Sequence, residues 1–117
     1  MEAMLLREDR GFIRILTMNR PHRMNAMSPE LGDRLIEEFV DANADPSVRA
    51  IVLTAVGDRA FCAGADLKAR AEEDKAGKPF QPLLSRVQRY VFEVVLETFK
   101  PTIAALNGAA EIGRAHV

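Results

Sequence analysis

Ala60-Phe61-Cys62-Ala63-Gly64-Ala65-Asp66-Leu67 is the stretch around which the rest of the chain is organised. A strand candidate, Arg49 to Thr54, leads into it, and a charged segment opening at Asp66 and Leu67 leads out. Between them lies a tight loop of small residues. Small side chains let a ligand come close to the backbone, and Gly64 takes positive φ without steric cost. Asp66 suits the cap of a helix that starts just after it. Such a loop can aim a backbone N–H into a pocket, which is how an oxyanion is stabilised. The plainer reading is a well-packed strand-to-helix turn, and on residue types alone the two weigh about equally. A dinucleotide loop is disfavoured, since Gly57 and Gly64 are too far apart for G-x-G-x-x-G, and no G-K-[ST] follows to cradle a phosphate.

Upstream, Ala50-Ile51-Val52-Leu53 has the short apolar pattern of a strand buried on both faces. Ser28-Pro29-Glu30 opens a helix: Ser28 caps, Pro29 suits the first helical position, and Glu30 favours the positive end of the dipole. Leu31, Leu35, Ile36, Phe39 and Val40 then share one face at helical spacing, Gly32 weakens the helix, and Asp45-Pro46 ends it. Leu5-Leu6 and Phe12 to Thr17 read as two strands, with turn chemistry at Glu8-Asp9-Arg10-Gly11 between them. Met18 to Met27 has no period, contains Pro21 and reads as a loop. On residue types alone its basic members Arg20, His22 and Arg23 are those of a solvated loop.

Downstream, Lys68 to Gln81 is charged and carries Gly77 and Pro79, which predicts a short helix and then a connector. Pro82 to Thr98 restores helical order, with Leu84, Val87, Val91, Val94, Val95 and Thr98 on one face. Lys100-Pro101 stops it, and Thr102 to Leu106 reads as another buried strand. Strand, helix, strand, helix, strand implies an α/β fold with parallel pairing and right-handed crossovers.

The 117 residues predict one domain. A net charge of −1 advertises no basic face for nucleic acid or anionic lipid. No apolar run approaches a membrane span, and the N-terminus lacks the basic region and apolar core of a secretory signal. The single Cys62 has no internal disulfide partner, which fits a reducing, cytoplasmic setting. Cys62 as a nucleophile is the weaker reading, since no motif sets a histidine beside it; a buried structural thiol is favoured. His22 and His116 with scattered acids make no metal pattern, so no metal is expected. Glu93 and Glu97 form an acidic pair one helical turn apart and belong on a solvated face.

Three segments together carry a resemblance. Thr17-Met18-Asn19-Arg20-Pro21 with Asn25-Ala26-Met27, then Ala60 to Lys68, then Lys100-Pro101-Thr102-Ile103-Ala104-Ala105-Leu106-Asn107-Gly108 stand in this order. They resemble the L-N-R-P-x-x-x-N-A loop, the first oxyanion-hole loop and the K-P-x-I-A-x-x-N-G strand of the crotonase (enoyl-CoA hydratase/isomerase) superfamily. The resemblance covers roughly residues 3 to 110. It implies a spiral of β-β-α units, here incomplete, and an enzyme acting on acyl-CoA thioesters. Hydration of a 2-enoyl-CoA is the favoured reaction, with CoA as part of the substrate and no separate cofactor. It further implies the backbone N–H of Ala65 as first oxyanion donor. His22, Arg23 and Met24 would lie along CoA, Ala63, Gly64, Ala65, Asp66 and Leu67 would also bind the substrate, and the whole enzyme would be a homotrimer or hexamer.

After Asn107-Gly108-Ala109-Ala110 the pattern breaks. Aligned without gaps, Gly113 stands where the second oxyanion donor falls, flanked by Ile112 and Arg114 in place of glycines. His116 stands where one family glutamate falls, and the second has no counterpart. Residues 1–110 are therefore expected to be the N-terminal part of the crotonase-like domain. Residues 111–117 read as a non-native tail that looks like one frame of a DNA sequencing adapter. The alternative to a working enzyme is a non-catalytic fragment with a partial CoA-binding surface.

Overall fold

The fold is seen in a computed structural model that describes residues 3–64, 71, 75, 77, 85–86 and 89–110. Strands β1 (Leu5–Arg10) and β2 (Ile13–Met18) form an antiparallel hairpin with Arg10 opposite Ile13. Its turn is Gly11-Phe12, with Gly11 at φ +57°, a left-handed backbone that glycine adopts freely. The sequence reading is corrected here: Glu8-Asp9-Arg10 are strand. An edge strand accepts them because its charged side chains face water and pair with one another, as Arg10 does with Glu8 at 2.6 Å.

The Ser28 hydroxyl accepts the Leu31 N–H at 3.2 Å and opens α1 (Pro29–Ala44). Leu31, Leu35 and Phe39 are buried and Ile36 packs beside them, as the spacing requires. Val40 departs, at 49% exposed, because it borders a surface cleft instead of the sheet. At the other end Asp45 caps the helix, and the Lys100 ammonium donates to the Ala42 and Asp45 carbonyls, each at 2.5 Å. A cation there meets the negative end of the helix dipole and satisfies carbonyls with no partner inside the helix. Lys100→Met is expected to cost about 1 kcal/mol, seen as a lower urea midpoint with the slope unchanged.

Strand β3 (Ala50–Ala55) pairs parallel with β2, Ile51 opposite Arg14. Strand β4 (Ala60–Cys62) follows it. Later, β7 (Thr102–Ala104) adds in parallel to β3, giving the order β1-β2-β3-β7, while β4 pairs in parallel with β8 (Ala109–Ala110). The parallel pairing expected from the alternation of strand and helix is therefore present. Leu16, Met18 and Ile51 are buried in one cluster with the apolar face of α1. Burial on both faces, expected for residues 50–53 and 102–106, does not hold. Val52 is half-buried, and Ile103 and Leu106 are 53% and 63% exposed. In β3 the reason is geometric, since Ile51 faces the core cluster under α1 and Val52 alternates to the other side, whereas β7 is exposed at every residue.

The helix expected over 82–98 is also corrected. Within it lie a small hairpin, β5 (Ser85–Arg86) with β6 (Arg89–Tyr90), and a six-residue helix, α2 (Val91–Leu96). Valine and tyrosine have modest helix propensity, so apolar spacing there marks core contacts without specifying the number of turns. Val91 and Val94 do reach the core, and Thr98 is half-buried. The predicted helix and connector of 68–81 lie outside the described residues, apart from isolated positions. Glu93 and Glu97 are exposed, as expected.

One core position was not foreseen. Arg14 is buried on the α1 side of β2, where its guanidinium donates to Asp9 at 2.9 Å, Asp41 at 2.6 Å and Asp45 at 3.2 Å. Burial by itself would lower its pKa, but the bonds to Asp9 and Asp41 outweigh that and raise it. Arg7 joins the same group through Asp9, Glu38 and Asp41.

Candidate functional site

Residues 19–28, 56–59 and 105–108 leave the C-terminal ends of the parallel strands β2, β3 and β7 and meet one another. Open α/β sheets place their ligands at this end of the strands. A cleft of about 190 Å³ lies there, with Pro21, Met24, Asn25, Gly57, Asp58 and Arg59 in its wall.

The first loop is built from inside. Pro21–Arg23 makes one 3-10 turn, and Met24 and Asn25 follow at φ 56° and 54°. Two successive left-handed residues that are not glycine need support from their surroundings. Asn25 supplies it. Its side chain is buried, its Oδ1 accepts the Arg20 N–H at 2.7 Å, and its Nδ2 donates to the Ala60 carbonyl at 2.9 Å and that of Val56 at 3.2 Å. The Arg20 guanidinium bonds the Ala26 carbonyl and is buried. Arg20 is thus a brace of the loop, which corrects its place among solvated basic residues. His22 is exposed, and Arg23 and Met24 are half-buried.

The second part is the exit of β4. Ala60, Phe61 and Cys62 are all buried, and Gly64 stands at φ +96°. The Ala63 N–H donates to the Met24 carbonyl at 3.1 Å, and the Gly64 carbonyl accepts the Met27 N–H at 2.7 Å. The loop that carries His22 and Arg23 is therefore tied to Ala63 through Met24 and to Gly64 through Met27. The Ala63 amide is engaged and is not itself a free donor. Ala65, Asp66, Leu67 and Gly113 lie outside the described residues.

Cys62 is buried, and burial pushes its thiol pKa up despite backbone bonds that pull it down. A protonated, enclosed thiol is a packing residue and a poor nucleophile, as its sequence context suggested.

Asn107 and Gly108 belong to the third motif segment, and on sequence alone neither carries a task. Asn107 Nδ2 donates to the Gly57 carbonyl at 2.8 Å and the Ala60 carbonyl at 3.2 Å. Gly108 passes so close to Arg59 and Ala60 that a Cβ would lie 2.6 Å from the Arg59 carbonyl carbon. The available signal was an Asn-Gly pair closing an apolar strand, a combination that favours side-chain bonding to local backbone and close approach.

Comparison with known proteins agrees with this geometry. A protein of Thermus thermophilus, assigned provisionally as an enoyl-CoA hydratase, is 39% identical over 113 residues, spanning 95% of this chain and 44% of that protein. The mitochondrial 3-hydroxyisobutyryl-CoA hydrolase of Rattus norvegicus is 32% identical over 106 residues, 91% of this chain and 28% of its own length. The crystal structure of an enoyl-CoA hydratase from Mycobacterium marinum superposes with a TM-score of 0.81 at 31% identity, covering 91% of this chain and 49% of that one. The fold is therefore crotonase-like, and this chain spans less than half the length of these relatives. Among the described residues no helix is long and apolar enough to cross a membrane. The profile of the enoyl-CoA hydratase/isomerase family matches residues 8–116, well over half of the sequence. The chain belongs to the enoyl-CoA hydratase/isomerase family.

Proposed function

We propose that this chain forms the CoA-facing N-terminal portion of an enzyme that acts on acyl-CoA thioesters, hydration of a 2-enoyl-CoA being the reaction it serves. The thioester carbonyl gathers negative charge when its β-carbon is attacked or its α-carbon loses a proton. Two converging N–H donors stabilise that oxygen, and each is worth about 3 kcal/mol in such sites. The Ala65 N–H is the first donor, and the second comes from the glycine run in whose place Gly113 stands. Ala63, Gly64, Asp66 and Leu67 surround the acyl end, and His22, Arg23 and Met24 run along CoA. No separate cofactor takes part. The whole enzyme works in the cytoplasm as a homotrimer or hexamer, without nucleic acid.

One observation carries this reading. The loop after β2 and the exit of β4 are laced by two backbone hydrogen bonds, and Gly64 turns the chain at φ +96° immediately before residue 65. A substrate spanning both segments would meet one hydrogen-bonded unit. The second reading is a CoA-binding portion that does not turn over by itself. It is favoured because, among the described residues, the cleft wall holds one carboxylate, Asp58, and that one is on an exposed loop residue, where proton transfer in such chemistry needs a placed acid or base.

The test is a crotonyl-CoA hydration assay run beside a titration of crotonyl-CoA against this chain. Saturable binding that free pantetheine does not match, with no turnover by the 117-residue chain, is the expected result. Turnover would remove the second reading, and failure to bind any CoA thioester would remove both.

A further inference from the structure

We infer that Asn25 and Asn107 act as a two-sided clamp positioning β4, and with it the Ala63-Gly64 backbone; its meaning for catalysis rests on the function proposed above. Both carboxamides converge on one acceptor, the Ala60 carbonyl, at 2.9 Å from Asn25 and 3.2 Å from Asn107. Each amide also holds a second carbonyl in the loop that precedes β4, Val56 for Asn25 and Gly57 for Asn107. The donors come from opposite sides, one from the loop after β2 and one from the loop after β7.

Chemistry decides the orientation of both groups. Carbonyl oxygens face the nitrogen of each amide, and the Asn25 oxygen faces an N–H, so a flipped amide would set acceptor against acceptor. The Ala60 carbonyl is half of the first residue pair of β4 with β8, Ala60 opposite Ala109. That ladder is only two strands wide and irregular between Ala60 and Cys62, so it defines the strand poorly by itself. The clamp adds two side-chain bonds where the short strand begins and two more in the loop that leads into it. Three and four residues beyond Ala60, the Ala63 N–H and the Gly64 carbonyl make their bonds to the first loop. Ala60 therefore sets where the backbone at 63–64 lies.

Cys62 reports on this directly, because its thiol is enclosed only while β4 is seated. Asn25→Asp and Asn107→Asp keep the side-chain shape and remove the donor. Each is expected to speed alkylation of Cys62 by iodoacetamide more than tenfold under native conditions, with helical circular dichroism retained. Lys100→Met serves as the control. It perturbs the opposite end of β7, and it should leave labelling within twofold of wild type even where its melting temperature falls as far. Unchanged labelling in the aspartate variants, or equal acceleration in Lys100→Met, would overturn the clamp. Should an aspartate variant fail to fold, Asn107→Ser, which keeps one short donor, is read instead: acceleration supports the clamp and wild-type labelling overturns it. None of these readings depends on CoA. Loss of crotonyl-CoA binding would refute the proposed function and leave the clamp standing.

Discussion

Arg14→Ala is expected to destabilise the fold by about 3 kcal/mol. The side chain is completely buried, and its three carboxylate partners come from the edge strand (Asp9), the last turn of α1 (Asp41) and its cap (Asp45). Truncation removes the guanidinium together with the aliphatic stem packed between β2 and α1. The carboxylates left behind are between 31% and 58% exposed and regain water, which holds the loss near the lower end for a broken buried ion pair. Arg14→Lys recovers little, since one ammonium cannot span three carboxylates in the geometry of a planar fork. Urea unfolding followed by circular dichroism measures both variants.

The same group gives a pH dependence. The Asp9 carboxyl is held below its usual range chiefly by the Arg14 hydrogen bond. That of Asp45 is held low first by the bonds from Ser47 and then by Arg14. With folded values depressed, the unfolded chain takes up protons more readily on acidification. This part of the stability is complete above about pH 5 and is lost as pH falls through and below about 4. Arg14→Ala should flatten that loss for Asp9 while much of the Asp45 contribution persists through Ser47. An equal acid slope in wild type and variant would show that the carboxylates do not respond to Arg14.

Gly108→Ala is expected to cost about 3 kcal/mol, the upper end for an overpacked site. The added Cβ would stand 2.6 Å from the Arg59 carbonyl carbon, 2.7 Å from its oxygen and 2.8 Å from the Ala60 nitrogen. All three are backbone atoms, so no rotamer change relieves them, and the chain itself has to move apart. The Ala109 N–H to Arg59 carbonyl bond, 3.2 Å long, is next to the contact and is the first to go. Gly11→Ala gives the contrast. Nothing lies within 4 Å of its Cβ, but the backbone stands at φ +57°, so about 1 kcal/mol of conformational cost is expected. Thermal melts rank the two, and hydrogen exchange at 59–62 should rise only in Gly108→Ala.

The elements most legible in the sequence were those with short-range causes. Ser28-Pro29-Glu30 announced the start of α1, and Asp45-Pro46 its end, because capping and proline sterics act within a few residues. The three quoted segments identified the family because each joins a turn residue to an apolar run in a fixed order. What stayed hidden depends on partners distant in the chain. Arg14 resembles any charged residue in a half-exposed strand until Asp41 and Asp45 are brought to it by the packing of α1. Glu8-Asp9-Arg10 resembled a turn because charge is as compatible with an edge strand as with a loop. Within the candidate site, the loop residues were found from their sequence, while the braces Arg20, Asn25 and Asn107 emerged only when three strand ends met. Pro82 to Thr98 misled because apolar spacing cannot distinguish one long helix from a hairpin followed by a short one.

The two borders of the four-stranded sheet are unlike. On one side β1 presents a fringe of paired ions, Arg7, Glu8, Asp9 and Arg10, which repels an incoming strand. On the other, β7 is short and its neighbouring side chains are apolar and uncovered, as Ile103 and Leu106 show. The sheet thus has a sealed beginning and a receptive end, and any strand that extends it, from this polypeptide or another, is directed to the β7 side.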